Sequence, residues 1–271
     1  MKNTVIGIAI IAALIGPPAL AADMATKAPP MTPAVPTAAS QNWYGFYIGA
    51  QAGYGWGGDP IDFAPSAAYV PAFAAGTLPP SLAADPRGAL GGIQWGSNWQ
   101  FGHYVLGTAS DFSFSDVKAS QSFFKAVGPG INIAGSQKMT WFSTTRLRAG
   151  YTVTNNLLIY GTGGLADGRA EASSSFLTPG CPGIGNCPAG TASKVLWGWA
   201  AGGGMEYAVG HWSANLEYVH YDLGHLNYNM TDPTTTAFIG ASTKFSGDII
   251  RGGINYRFDW TPWDFIFGRH S

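Results

Sequence analysis

Ten residues near the C-terminus, IIRGGINYRF from Ile249 to Phe258, alternate so that Ile250, Ile254, Tyr256 and Phe258 share one face of a strand while Arg251, Asn255 and Arg257 share the other. Successive side chains of a β-strand point to opposite faces. In a water-soluble sheet the apolar face meets a core and the charged face meets water. Here the apolar face is bulky and ends in an aromatic, and the opposite face is cationic. That is the pattern of a strand with lipid outside and a polar interior.

The N-terminus carries an export signal: Lys2 supplies a positive charge, Val5 to Ile15 an uncharged apolar run, and Ala19-Leu20-Ala21 a small-x-small cleavage site. Residues 1–21 are therefore read as a signal peptide, with the mature chain beginning at Ala22. The apolar run is shorter than the roughly 20 residues a spanning helix needs. A membrane-embedded form of this chain is built from strands. Composition agrees: charged residues make up only 11% of the 271 positions, against about 25% in soluble domains. The formal net charge of -1 leaves no electrostatic case for a nucleic-acid partner.

Residues 22–42 form a Pro/Ala-rich leader, with four prolines between Asp23 and Asn42 and almost no large apolar side chain. Such a stretch builds no core and reads as a periplasmic leader, disordered or serving as a spacer. After Trp43, eight alternating segments follow. Tyr44 to Trp56 sets Phe46, Ile48 and Tyr54 against Tyr47 and Gln51. Gly88 to Phe101 sets Ile93, Trp95, Trp99 and Phe101 against Gln94, Asn98 and Gln100. Tyr104 to Phe114 opposes Leu106, Phe112 and Phe114 to Asp111 and Ser113, and Met139 to Tyr151 opposes Trp141, Leu147 and Tyr151 to Arg146 and Arg148. Leu157 to Gly168 is glycine-rich and ambiguous in parity. Val195 to Tyr207 sets Trp197, Trp199, Met205 and Tyr207 against Glu206; Trp212 to Leu223 sets Trp212, Leu216 and Tyr218 against Ser213, Asn215 and Glu217. The opening decapeptide is the eighth.

Short turns near Gly102, Asn155 and Gly210 alternate with long connections over 57–87, 115–137, 169–194 and 226–244, rich in Pro, Ala, Ser and Thr. Short turns at one end and long loops at the other are characteristic of an outer-membrane barrel with an even strand count. Aromatics mark both edges of the band. Tyr44, Phe101, Tyr151, Tyr207, Trp212 and Phe258 collect at the short-turn end; Tyr54, Trp56, Phe112, Phe114, Trp141 and Trp197 collect at the other. Two such rows are the expected interfacial girdles. The fold expected is all-β: an eight-stranded antiparallel up-and-down transmembrane barrel over residues 43–258, with a periplasmic tail over 259–271.

The inward set comprises Asp111, Glu206 and Glu217 with Arg146, Arg148, Arg251 and Arg257. Buried charges must pair or be hydrated, and eight strands leave an interior that side chains just fill. A polar plug is the expected content; a narrow path lined by arginines is the alternative. Cys181 and Cys187, in the stretch CPGIGNC, read as a disulfide in an exported chain, with free thiols as the alternative. Zinc would need about four ligands, and the stretch holds no histidine.

Catalytic motifs are weak. Gly161-Thr162-Gly163 with Ala166 imitates a dinucleotide fingerprint, but strand and loop follow where the motif needs a helix. The histidines at 103, 211, 220, 225 and 270 make no triad spacing with a serine. His220, Tyr221, Asp222, His225 and Tyr228 crowd one stretch and could in principle ligate haem iron, although exposed loop residues are the plainer reading. No enzyme, cofactor or metal is expected.

WYGFYIGAQAGYGWG at Trp43 to Gly57, WQFGHYVLGTASDF at Trp99 to Phe112, TTRLRAGY at Thr144 to Tyr151, LLIYGTGGLADG at Leu157 to Gly168 and IIRGGINYRF together resemble the small alphaproteobacterial outer-membrane proteins described as porin-like, outer-membrane immunogenic or haemin-binding. The resemblance covers about Trp43 to Phe258. It implies an OmpA-like eight-stranded barrel in the outer membrane, exposed through its loops. Two departures stand out: Ala109 replaces a glutamate common in the family, and DWTPWDFIFGRHS continues past Phe258, where the family usually ends. Either Phe258 closes the barrel ahead of a periplasmic tail, or Phe265 and Phe267 take part in assembly. The expected function is envelope structure and surface interaction, with a narrow channel or haemin receptor as rivals. Expected partners are outer-membrane lipid, the barrel-assembly machinery, and an extracellular ligand on the long loops.

Overall fold

The computed structural model describes residues 41–125, 131–177, 187–232 and 237–267. The expected signal peptide, the expected leader up to residue 40 and Cys181 lie outside them; Cys187 is buried and disulfide-bonded. Eight antiparallel strands close a ring. β1 (Gly45–Gly57) pairs with β4 (Arg87–Phe101) on one side and with β10 (Phe238–Arg257) on the other. β5 (Tyr104–Lys125), β6 (Ile131–Thr154), β7 (Leu157–Leu177), β8 (Ala189–Val209) and β9 (Trp212–Thr231) complete the circuit in chain order. Closure sets Tyr54 opposite Ile250 and Gly53 opposite Arg251, so the opening decapeptide is the closing stave.

The short turns have two residues each, and two of them are Gly-His. Phe101 pairs with Tyr104 around Gly102-His103, and Val209 with Trp212 around Gly210-His211. Gly102 and Gly210 hold φ at 62° and 59°, a region that side chains beyond glycine disfavour.

The strands run well past the ranges that alternation suggested. β6 has 24 residues and β5 has 22, whereas about 9–11 suffice to cross a bilayer. Most of 115–137, 169–194 and 226–244, expected as loop, is ladder. The reason is a reversal of sense along the long strands. In the lower part of β6 Leu147 faces out at 73% exposure while Arg146 and Arg148 face in. In its upper part Asn132, Ala134 and Lys138 face out, while Ile131, Ile133 and Met139 are buried. β7 changes in the same way, from outward Ile159 and Leu165 to inward Ala170, Ala172 and Phe176. Bulges between Phe114 and Val117 on β5 and between Met139 and Trp141 on β6 lie at the changeover. Below it the ring is oily outside and polar inside; above it the ring is built like a soluble sheet.

The first long connection folds into this upper part. β2 (Ile61–Pro65) takes over as the partner of β10 above the end of β1, pairing Ile61 to Pro65 with Thr243 to Ile239, and β3 (Ser81–Leu82) pairs with β2. A short helix, α1 (Val70–Ala74), lies between them. Ile61, Phe63, Leu78 and Leu82 pack on Ile131, Ile133, Phe176, Met230 and Ile239 to close the top.

At the other end the chain past Phe258 docks rather than hanging free. Phe46 donates its N–H to the Trp260 carbonyl at 2.7 Å, and Phe258 donates to the Phe46 carbonyl at 2.8 Å. The Phe46 ring stacks on Phe258 and Trp260 at 6.0 and 5.9 Å. Tyr44 bonds Asp264 in α2 (Pro262–Phe267).

Candidate functional site

The lumen is filled in layers. Nearest the short turns, Trp43 is fully buried among Val105, Leu158, Tyr160 and Ala208. It is held by a bond from its N–H to Gln100 Oε1 at 2.7 Å. The Arg257 guanidinium lies 4.7 Å from the centroid of its ring, within cation–π range. Arg257 also donates to the Asn42 carbonyl. Among the described residues it makes no ion pair with a carboxylate, so this arginine belongs to the Trp43 layer and stands apart from the charge network.

The next layer is ionic. Arg146 on β6 meets both oxygens of Glu217 on β9, at 2.8 and 3.1 Å. Arg251 on β10 reaches Glu217 Oε2 at 2.7 Å and Asp111 Oδ1 on β5 at 2.9 Å. Arg146 lies 3.4 Å from the same Asp111 oxygen. Four walls of the ring are thus tied by two arginines and two carboxylates. Beside them Arg148 pairs with Glu206 and places its guanidinium 3.7 Å from the Tyr160 ring centroid. Glu206 also accepts from Ser213 and from Asn255, and Gln94 bridges Asn255 and Asn215 at 2.7 and 3.1 Å. At Gly253 an added Cβ would lie 2.3 Å from Gln94 Nε2 and 2.6 Å from Asn215 Oδ1, so glycine makes room for that bridge. The cavity left among these groups measures about 10 Å³, room for about one water.

Inward Thr144, Thr162 and Tyr160 are part of the site, although the sequence reading gave them no role. Thr162 accepts from Arg146 Nη1 at 2.6 Å, and Arg146 Nε donates to Thr144 at 2.9 Å. The parity of the glycine-rich seventh strand, once known, would have revealed two of them. Above the ions lies an apolar layer: Phe142 is fully buried with its ring 4.9 Å from Tyr221, among Leu90, Leu196, Leu223, Phe245 and Ile249. A wholly polar plug therefore misstates the lumen. The ions occupy one layer between two apolar ones.

The aromatic rows are placed as follows. Phe101, Tyr151, Tyr207 and Trp212 are exposed at the short-turn end, where Tyr151 packs edge-on against Tyr104 at 5.5 Å, and Tyr44 and Phe258 join the docked tail. At the changeover level Tyr54, Phe114 and Trp197 are exposed, Phe112 stacks on Trp141 at 5.8 Å, and Trp56 is half-buried.

The residues considered for haem do not converge. His220 and His225 stand on outward positions of β9, and His220 Nδ1 lies 2.8 Å from Asp248 Oδ1. Tyr221 points inward against Phe142; Tyr228 bonds Ser174 Oγ at 2.7 Å inside. Alternation puts the wall of the barrel between the histidines and the tyrosines. Gly161-Thr162-Gly163 lies within β7, with strand on both sides.

A family model described as outer membrane protein beta-barrel domain matches residues 30–258. The chain is 34% identical over 266 residues to the 31 kDa outer-membrane immunogenic protein of Brucella melitensis, spanning 95% of this chain and 100% of that protein. It is 27% identical over 197 residues to the 22 kDa outer membrane protein of Rhizobium leguminosarum, spanning 72% of this chain and 71% of that one. Among solved structures, the outer membrane protein OprG from Pseudomonas aeruginosa is similar with a TM-score of 0.40 and 12% identity, covering 81% of this chain and 98% of that chain.

Proposed function

The chain belongs to the outer membrane protein β-barrel family, and from that premise we propose that it is a closed barrel serving envelope structure and surface interaction. The short turns face the periplasm, and the tall upper wall with its folded connection stands outside the cell. The observation that carries the reading is the cross-lumen ionic layer, with a cavity of only about 10 Å³ at its centre and the Phe142–Tyr221 layer above it. An ion crossing here would have to displace both. A narrow channel is the reading least supported by that packing. A haemin receptor built on His220, His225, Tyr221 and Tyr228 finds no shared ligand position. A non-enzymatic role is supported by the relatives, which are named as outer-membrane immunogenic and outer membrane proteins.

The experiment is planar-bilayer conductance of the refolded full chain. A barrel with this interior gives no unitary openings under voltage; discrete, reproducible openings would overturn the reading.

A further inference from the structure

We infer that the upper edge of β5 docks an extended segment of an extracellular polypeptide, which adds to the wall as one more strand. The inference deepens the surface role argued above and rests on the same orientation of the barrel.

The ring is closed by β1 and β4 only in its lower part, where the two stand between β10 and β5. Upward, the ladder between β4 and β5 ends with Arg87 opposite Lys118. The residue before Arg87 is Pro86, which has no N–H to continue it, and its carbonyl has turned to accept from the Gly57 N–H at 2.9 Å. β5 rises on to Lys125, laddered on its other side to β6 as far as Ile131. Across the gap β2 succeeds β1 beside β10, and β3 pairs with β2. Above the membrane the wall is therefore an open sheet whose two ends are β3 and β5.

The edge left this way is bare on both faces. Ser120, Gln121, Ser122, Phe123 and Phe124 are all exposed, Phe124 at 68% and Phe123 at 38%. Gln121 and Phe123 share the inward parity of Val117 and Ala119, which are buried, so the inner side of the edge is uncovered as well. An unpaired strand edge is a template for another strand, and proteins usually protect one with a proline, a charge, a bulge or a covering element. Ala119 to Phe124 holds no proline and no charged side chain. The bulge in this ladder lies below, between Phe114 and Val117.

The kind of occupant follows from the groups on offer. A row of amides and carbonyls outside any ladder takes another main chain, and alternate side chains choose among main chains. Phe124 on the outer face and Phe123 on the inner one favour aromatic or β-branched neighbours. A second copy of this chain is a poor fit. Two copies in one membrane raise their β5 strands in the same sense, so a twofold axis along the membrane normal pairs them parallel and sets Lys118 beside Lys118. A polypeptide in solution is under no such constraint and meets the edge antiparallel, the more stable pairing. Because Ala119 to Phe124 carries no charge, its hold does not depend on salt.

The test uses the refolded full chain in phosphatidylcholine vesicles and a fluorescent peptide, Thr-Val-Thr-Phe-Thr-Val-Thr, N-methylated on alternate residues so that one of its edges alone can pair. Fluorescence anisotropy reports binding, equal in low and high salt. The same peptide N-methylated on every residue does not bind. The variant Ser122→Cys forms a disulfide with a cysteine-tipped form of the peptide, and Ser173→Cys, two strands away on β7, does not. The double variant Phe123→Ser, Phe124→Ser folds, as heat-modifiable gel mobility will report, and binds about tenfold more weakly. No binding by the one-edge peptide overturns the inference, as does equal binding by the fully methylated one, equal cross-linking at Ser173→Cys, or release by salt. If Ser122→Cys barrels cross-link to one another in preference to the peptide, the edge belongs to a second copy and the stated occupant is wrong. A conducting barrel would instead refute the closed-lumen reading and leave this binding untouched.

Discussion

Arg251 on β10 reaches across the lumen to Asp111 on β5, its Nη2 2.9 Å from the carboxylate Oδ1, although β1 and β4 separate the two strands around the ring. Both side chains are about 1% exposed. The bond ties the closing stave to the opposite wall, and Glu217 receives the same arginine from a third direction.

Replacing Arg251 by methionine should therefore cost about 3–5 kcal/mol, because two buried carboxylates are left sharing Arg146 alone. Urea unfolding of the vesicle-inserted barrel measures it. Adding Asp111→Asn should cost less than the two single changes summed, since the second removes a charge that the first left unpaired. Additive losses would show that the pair is not coupled.

The apolar layer has its own test. Phe142→Ala removes a fully buried ring packed on Tyr221 and should destabilise the barrel by about 3–5 kcal/mol. The temperature at which its gel mobility changes should fall accordingly. An unchanged transition would mean that this layer is not packed as described.

The reversal of sense along β6 can be read with one residue type at two heights. Leu147→Arg lies in the lipid-facing band and should lower the folding free energy into phosphatidylcholine vesicles by about 2–4 kcal/mol. Ala134→Arg, outward on the same strand but above the changeover, should fall within about 0.5 kcal/mol of the parent. Similar penalties at both positions would place the upper wall in the membrane.

Deleting Asp259 to Ser271 removes the carbonyl that accepts the Phe46 N–H, the Trp260 ring and the Asp264 partner of Tyr44. The barrel should still assemble and remain heat-modifiable, with a loss of about 1–3 kcal/mol from the missing ring contacts and bonds. Failure to form the barrel at all would assign the tail a part in assembly.

The strand-by-strand alternation was enough to put Ile254 outside and Arg251 inside, and the short Gly-His turns were enough to fix which ends of neighbouring strands meet. Where the pattern became ambiguous, as in the glycine-rich β7, the inward positions of Tyr160 and Thr162 came only with the ladder to Arg148 and Gly202. The upper halves of the strands are hidden in the sequence for a different reason. Ile131, Ile133 and Met139 against Asn132, Ser136 and Lys138 is an ordinary soluble alternation, and it lacks the apolar outward face that marks the lower strands. Composition hid the rest: Ile61, Phe63 and Leu82 are scattered through a Pro- and Ala-rich connection, and nothing local says that they meet Ile133 and Phe176.

By itself, then, the sequence determined the fold class, the closing stave and the face on which each charge of the lower barrel lies, because period-two patterning is local and lipid imposes its own polarity on one face. The tertiary structure alone decided which carboxylate holds which arginine, that Arg257 turns to Trp43 instead, that apolar layers bracket the ions, and that Phe46 receives the chain end. Those contacts depend on ring closure and register, which bring together side chains from 34 to 215 residues apart, and no local pattern encodes a distance across the lumen.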